Sequence, residues 1–157
     1  MIKIKYEERH LSGVLDCSSR SLTSLKEISS LVNLRELRCE ENSLTSLEGI
    51  SSFTNLRKLD CSDNSLISLI SLGGISSLVN LRKLYCEDNS LISLEGISSL
   101  VGLRTLGCSG NSLTSLEEIS SFVNLRALDC SDNSLASLKG TSSVVQMVRF
   151  SVGQING

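Results

Sequence analysis

Apolar residues recur along the chain in two alternating rhythms. In Leu34-Arg-Glu-Leu37-Arg-Cys39 the last two apolar positions lie two apart, the period of a strand with one buried face. Then Leu44, Leu47, Ile50 and Phe53 follow at intervals of three, which suits 3₁₀ turns or a short helix, before Leu56 starts the first rhythm again. The same register returns as Leu81, Leu84, Cys86, Asn89, Leu91, Leu94, Ile97 and Leu100. The pattern therefore predicts a short strand, a turn and a return segment, repeated. Ile-Ser-Ser-Leu is too short to decide between a helix and a 3₁₀ turn on the return.

The cysteines measure the repeat. Cys17, Cys39, Cys61, Cys86, Cys108 and Cys130 are spaced 22, 22, 25, 22 and 22 residues apart. One such unit cannot bury both of its faces, whereas stacked units turn Leu37, Leu59, Leu84, Leu106 and Leu128 into a continuous interior column. A solenoid follows. The long third unit carries an extra Ser-Leu-Ile within residues 65–74, an insertion that loops accept at little cost, with exposure of Ile70 to a partner as the functional alternative. At the start, Ile2, Ile4 and Tyr6 alternate with lysines and predict a capping strand within residues 1–12. At the other end Met147, Phe150 and Val152 take the Leu, Leu and Cys positions of a seventh strand, whose apolar edge predicts weak end-to-end self-association.

The wording L-x-x-L-x-C-x-x-N-x-L-T-S-L-E-G-I resembles leucine-rich repeat proteins of the short 22-residue class. That class includes the bacterial internalins and the leucine-rich regulatory subunit of protein phosphatase 1; the repeats are also similar in wording to repeat proteins of giant DNA viruses and some protists. The resemblance implies an α/β solenoid. It would be a right-handed superhelix with a parallel β-sheet on the concave side, short helices or 3₁₀ turns on the convex side, and a partner protein held against the sheet. On this reading residues 1–157 form one domain: a cap at 1–12, six repeats over 13–146, and a terminal strand and tail at 147–157.

Composition narrows the function. Lys+Arg number 15 against 17 Asp+Glu, too balanced for a nucleic-acid or anionic-membrane binder. No apolar run approaches the ~20 residues of a membrane span, and the charged, alternating N-terminus does not read as a secretory signal. The one histidine, His10, lies in the predicted cap and no glycine-rich phosphate loop occurs, so no catalytic residue, metal or cofactor is expected, and no enzyme. One cysteine per unit, inside the strand, suits a small buried thiol filling space between coils. Disulfides between stacked strands would distort the ladder, and zinc sites favour closely paired cysteines. Free thiols and the lack of an Asn-x-Ser/Thr acceptor predict an intracellular, cytoplasmic protein.

The polar positions divide into columns. Asn42, Asn64, Asn89, Asn111 and Asn133 follow each strand and are expected to satisfy turn backbone in their own and adjacent coils. Arg35, Arg57, Arg82, Arg104 and Arg126 stack like charges, which implies nearby carboxylates; a partly paired rim is expected ahead of a polyanion site. The outward strand positions vary from coil to coil while the interior does not, the mark of a surface free to specialise. From these, Glu36, Arg38, Lys58, Asp60, Lys83, Tyr85, Glu87, Thr105 and Asp129 are the candidate partner-binding residues, with Tyr85, the one aromatic in an outward strand position, at their centre. The expected function is a non-enzymatic module binding an unidentified partner protein on its concave face. The alternatives are a regulatory or pathogen-effector protein that redirects a cellular enzyme such as a phosphatase, and a structural protein that assembles end to end.

Overall fold

Residues 13–70, 74–139, 141 and the backbone of 149–151 are described by a computed structural model of the chain; the capping strand expected in 1–12 and the side chains of Met147, Phe150 and Val152 lie outside them. Seven three-residue strands form one parallel sheet in chain order: β1 Val14–Asp16, β2 Glu36–Arg38, β3 Lys58–Asp60, β4 Lys83–Tyr85, β5 Thr105–Gly107, β6 Ala127–Asp129 and β7 Arg149–Ser151. Each strand is short because only three residues separate the rim arginine from the buried cysteine. Register is uniform, with Leu15, Leu37, Leu59, Leu84, Leu106, Leu128 and Phe150 paired in one row.

The three-residue rhythm resolves into 3₁₀ turns at Lys26–Ile28, Ile50–Ser52, Ile75–Ser77, Ile97–Ser99 and Glu117–Ser121. No α-helix occurs among the described residues. Glycine sets where two of these turns begin. Gly49 and Gly96, at φ +97° and +93°, precede Ile50 and Ile97 in a left-handed conformation that a side chain would strain. Where Glu117-Glu118 replaces Glu-Gly, the 3₁₀ turn starts earlier and runs for five residues.

The interior is one cluster of leucine, isoleucine, phenylalanine and cysteine from Leu15 to Leu135. In an ordinary coil the return residues are three apart (Leu44, Leu47, Ile50), but the third coil buries Leu66, Leu69 and then Ile75. The three extra residues are therefore accommodated between Leu69 and Ile75, leaving the interior columns intact. Ile70, at the start of that segment, is about half exposed, with its side chain against the open face of Gly96.

All six cysteines are free and buried. They are not simply apolar fillers: the thiols of Cys17, Cys39, Cys61 and Cys86 donate to the carbonyls of Arg38, Asp60, Tyr85 and Gly107 in the next coil, at 3.2–3.3 Å. Burial pushes every thiol pKa up, Cys17 to about 12 and Cys130 to about 11, so the uncharged form is the one the fold accepts.

The asparagine column closes each turn. Asn89 donates its amide to the carbonyls of Cys86 and Glu87 in its own coil and of Cys61 in the preceding one, and its Oδ1 accepts from Leu66 N–H of that preceding coil at 2.9 Å. Asn42, Asn64, Asn111 and Asn133 repeat the arrangement. Amide rather than carboxylate is needed because both donors and an acceptor are used at once.

Candidate interaction surface

With every second strand residue committed to the interior, the outer face of the sheet is built from two positions per strand. Register places Glu36 beside Lys58, Lys58 beside Lys83, and Asp60 beside Tyr85. A connected chain of charges results. Glu36 accepts from Arg38 Nε at 2.8 Å and from Lys58 Nζ at 3.0 Å, and Arg38 reaches back to Asp16 at 3.9 Å. Burial alone would raise the Glu36 carboxyl, but the hydrogen bonds from Lys58 and Arg38 outweigh it and hold the group below the usual carboxylate range. The Lys58 ammonium also stands 5.7 Å from the centre of the Tyr85 ring, so the ring is flanked by a cation. These contacts tie β2, β3 and β4 into one patch whose side chains are held before any partner arrives.

Beyond Tyr85 the face changes. Its neighbour in register on β5 is Gly107, and a Cβ there would collide with Glu87 Oε1. Glu87 thus lies folded over the glycine of the next coil. Its other oxygen accepts from Ser62 Oγ at 2.7 Å, while the same hydroxyl is 3.0 Å from Asp60 Oδ1. One hydroxyl proton cannot serve both carboxylates. Burial raises the Glu87 carboxyl, with Asp60 and Asp129 adding to the effect and the hydrogen bond from Ser62 opposing it.

Coil five repeats this bareness twice more. A Cβ at Gly102, where neighbouring coils carry Asn80 and Asn124, would meet the Arg82 guanidinium, and one at Gly110 would meet Asp88 Oδ1. Three charged side chains of coil four therefore lie in three notches of coil five. The signal available in the sequence is the loss of a side chain in one coil at three outward positions, Gly102, Gly107 and Gly110.

The candidate residues thus separate into groups. Glu36, Arg38, Lys58 and Tyr85 are brought into contact, Asp60 and Glu87 are joined through Ser62, and Lys83 is exposed on β4. Thr105 and Asp129 lie beyond the Gly107 notch. Asp129, like Asp16 and Asp60, accepts from the backbone and hydroxyl of the serine two residues later, a local turn brace. The expectation of a partly paired arginine rim is corrected: among the described residues no carboxylate lies within ion-pair distance of Arg35, Arg57, Arg82, Arg104 or Arg126, and Glu36, one residue after Arg35, pairs instead with Arg38 and Lys58.

A family model for leucine-rich repeats, in two copies, matches residues 32–74, 79–121 and 101–140. No curated protein matches the chain in sequence. Among solved structures, an internalin of Listeria monocytogenes (InlF) is similar at a TM-score of 0.76 and 16% identity over 90% of this chain, which spans 42% of that protein's length. Internalin C2 of the same organism is similar at a TM-score of 0.64 and 18% identity, over 92% of this chain and 74% of the other. At such identities these likenesses speak for the fold, while the family match covers about two thirds of the residues with the repeat wording itself. The chain belongs to the leucine-rich repeat family, whose domains are in general non-enzymatic protein-interaction modules.

Proposed function

We propose that this chain binds a partner protein across the outer face of its sheet, centred on Tyr85 and reaching Glu36, Lys58, Asp60, Lys83 and Glu87. The observation that carries the reading is the setting of Tyr85: a lone outward aromatic, flanked by Lys58 and bordered by the Gly107 notch. A ring held at low conformational cost beside an open slot suits a hot spot, where a partner side chain displaces Glu87 and packs against the ring. The repeat architecture supports the choice of face, since the interior strand position is leucine in all six repeats while these differ. The six buried, free thiols support an intracellular, reducing setting.

The test is capture from cell lysate on the immobilised chain, with Tyr85→Ala and, as a control on the far surface, Val123→Ser run in parallel. Loss of one protein with Tyr85→Ala and its retention with Val123→Ser is the expected result. Recovery of a phosphatase among the lost proteins would favour the regulatory alternative. An unchanged set of captured proteins with Tyr85→Ala would move the site elsewhere.

A further inference from the structure

Besides the patch around Tyr85, the sheet carries two charged edges of opposite sign. At the start of the strands Arg35, Arg57, Arg82, Arg104 and Arg126 stack one per coil; the Arg35 N–H donates to Gly13 O, and each later one donates to the carbonyl of the arginine before it at 2.7–2.8 Å. Four of the five are exposed, and Arg82 is half-buried, its Nη1 donating to Leu81 O. Beyond the end of the strands, six residues later in each coil, stand Glu41, Asp63, Asp88, Gly110 and Asp132. Their coils are likewise stacked: Glu41, Asp63, Asp88 and Gly110 donate their N–H groups to Ser62, Glu87, Ser109 and Ser131 of the following coil. The four acids are exposed, and no base among the described residues lies within ion-pair distance of them.

We propose that these two edges are the halves of one lateral interface, the arginine column of one copy receiving the acidic column of a second copy of this chain. The pitch of the columns selects the occupant. Stacked coils repeat about every 4.8 Å, whereas an extended peptide presents same-face side chains about 6.6 Å apart and drifts out of step within a few residues. An array of carboxylates at the coil pitch is what this chain itself displays. In the matched register Arg35, Arg57, Arg82 and Arg126 meet Glu41, Asp63, Asp88 and Asp132, and Arg104 meets the space above Gly110. One molecule does not satisfy itself: among the described residues no arginine of the column lies within ion-pair distance of Glu41, Asp63, Asp88 or Asp132.

Crowding on the acidic edge is already felt within one copy: burial first, then Asp88 and Glu41, push the Asp63 carboxyl above its ordinary range. A net charge of −2 puts little overall repulsion in the way of association. Each pair is an exposed salt bridge of small individual worth, so the contact depends on several acting in parallel and on low salt. The contact is head-to-tail, so it does not close on itself and lateral rows form.

The experiment is sedimentation velocity of the full chain over a concentration series, at about 20 mM and about 500 mM salt, where the screening length falls severalfold. Average mass should rise with concentration at low salt and return to the 17.0 kDa monomer at high salt. Two variants follow: Arg57→Glu with Arg82→Glu and Arg104→Glu, and Asp63→Asn with Asp88→Asn and Asp132→Asn, asparagine being chosen for its tolerance of the left-handed backbone at those positions. Each alone should stay monomeric, and an equal mixture should form a dimer and nothing larger, since one intact edge of each kind remains. Recovery on mixing also shows that both variants are folded. If the glutamate variant melts early, glutamine at the same three positions takes its place. Monomeric wild type at low salt, single variants that associate like wild type, or a mixture that stays monomeric would each overturn the proposal; the second would point to the terminal strand instead.

Discussion

The inner and outer faces of the same strands obey opposite rules. Leu37, Leu59, Leu84, Leu106 and Leu128 are identical and wholly or nearly wholly buried; the cysteine column repeats in six coils and the asparagine column in five, Arg20 standing at its place in the first. Across the backbone, Glu36, Lys58, Lys83, Thr105 and Ala127 share one geometry yet span four residue types, acidic, basic, polar and apolar. A stacked interior allows one solution per column, because a residue too large or too small for its slot disturbs the coils on both sides. The outer face has no such neighbour above it, so its residues answer only to one another and to a partner. Damage to the two faces should therefore be read by different instruments.

The largest separation comes from pH. The six thiols are held uncharged by burial and ionise freely once unfolded, so the native state binds more protons above the ordinary thiol pKa and loses stability as pH rises. Each costs on the order of 1 kcal/mol per pH unit between about 9 and its folded value. Melting followed by circular dichroism should show a steep fall between pH 8 and 10, softened in Cys86→Ala; a flat profile would mean that the thiols are not desolvated. Next, Asn89→Ala leaves Leu66 N–H and the Cys61, Cys86 and Glu87 carbonyls short of a partner and should lower stability by about 3 kcal/mol in urea unfolding. A loss below ~1 kcal/mol would show that water replaces the amide.

Smaller effects belong to the outer positions. Gly110→Ala sets a side chain at φ +64° and against Asp88, and should cost about 1–2 kcal/mol, visible as a shifted urea midpoint with unchanged slope. Tyr85→Ala should leave stability within about 0.5 kcal/mol, as outlying surface changes do, yet weaken partner binding at least about tenfold by calorimetry. A large loss of stability with binding intact would reverse the division between the faces. Glu87→Gln is the finest probe. Burial disfavours the charged carboxyl, whose contribution to stability is therefore greatest below its unfolded pKa and fades as pH rises through its raised folded value. The amide should melt slightly higher than wild type at pH 7, and the difference should vanish near pH 4.

How far the molecule was legible follows the same division. The leucine columns, the turn asparagines and the strand positions are readable from one sequence because every coil states them again. The choice of 3₁₀ turns was not: Ile-Ser-Ser-Leu satisfies either geometry, and the glycine or glutamate just before the isoleucine goes only with where each turn begins. The expected pairing of the arginine rim also failed, since abundance of acids does not say which edge of the sheet they occupy. Lys58 over Tyr85 could have been inferred from adjacent outward positions, whereas Glu87 lying over Gly107 depends on a side-chain direction that spacing does not encode.

The asparagine amides point one way along the solenoid. Asn89 Oδ1 caps the Leu66 N–H, as Asn42 Oδ1 caps that of Leu22, so each of these backbone donors is capped by the coil after it and never by the one before. This gives the stack a direction of dependence. Trimming coils from the N-terminal side leaves every remaining donor of this kind capped, at the loss of acceptors for one serine N–H and one asparagine amide, while trimming from the C-terminal side uncaps the leucine N–H of the new last coil. Insertions and deletions of whole coils are then tolerated unequally at the two ends, and a lineage of such chains can shorten or lengthen most safely at its beginning.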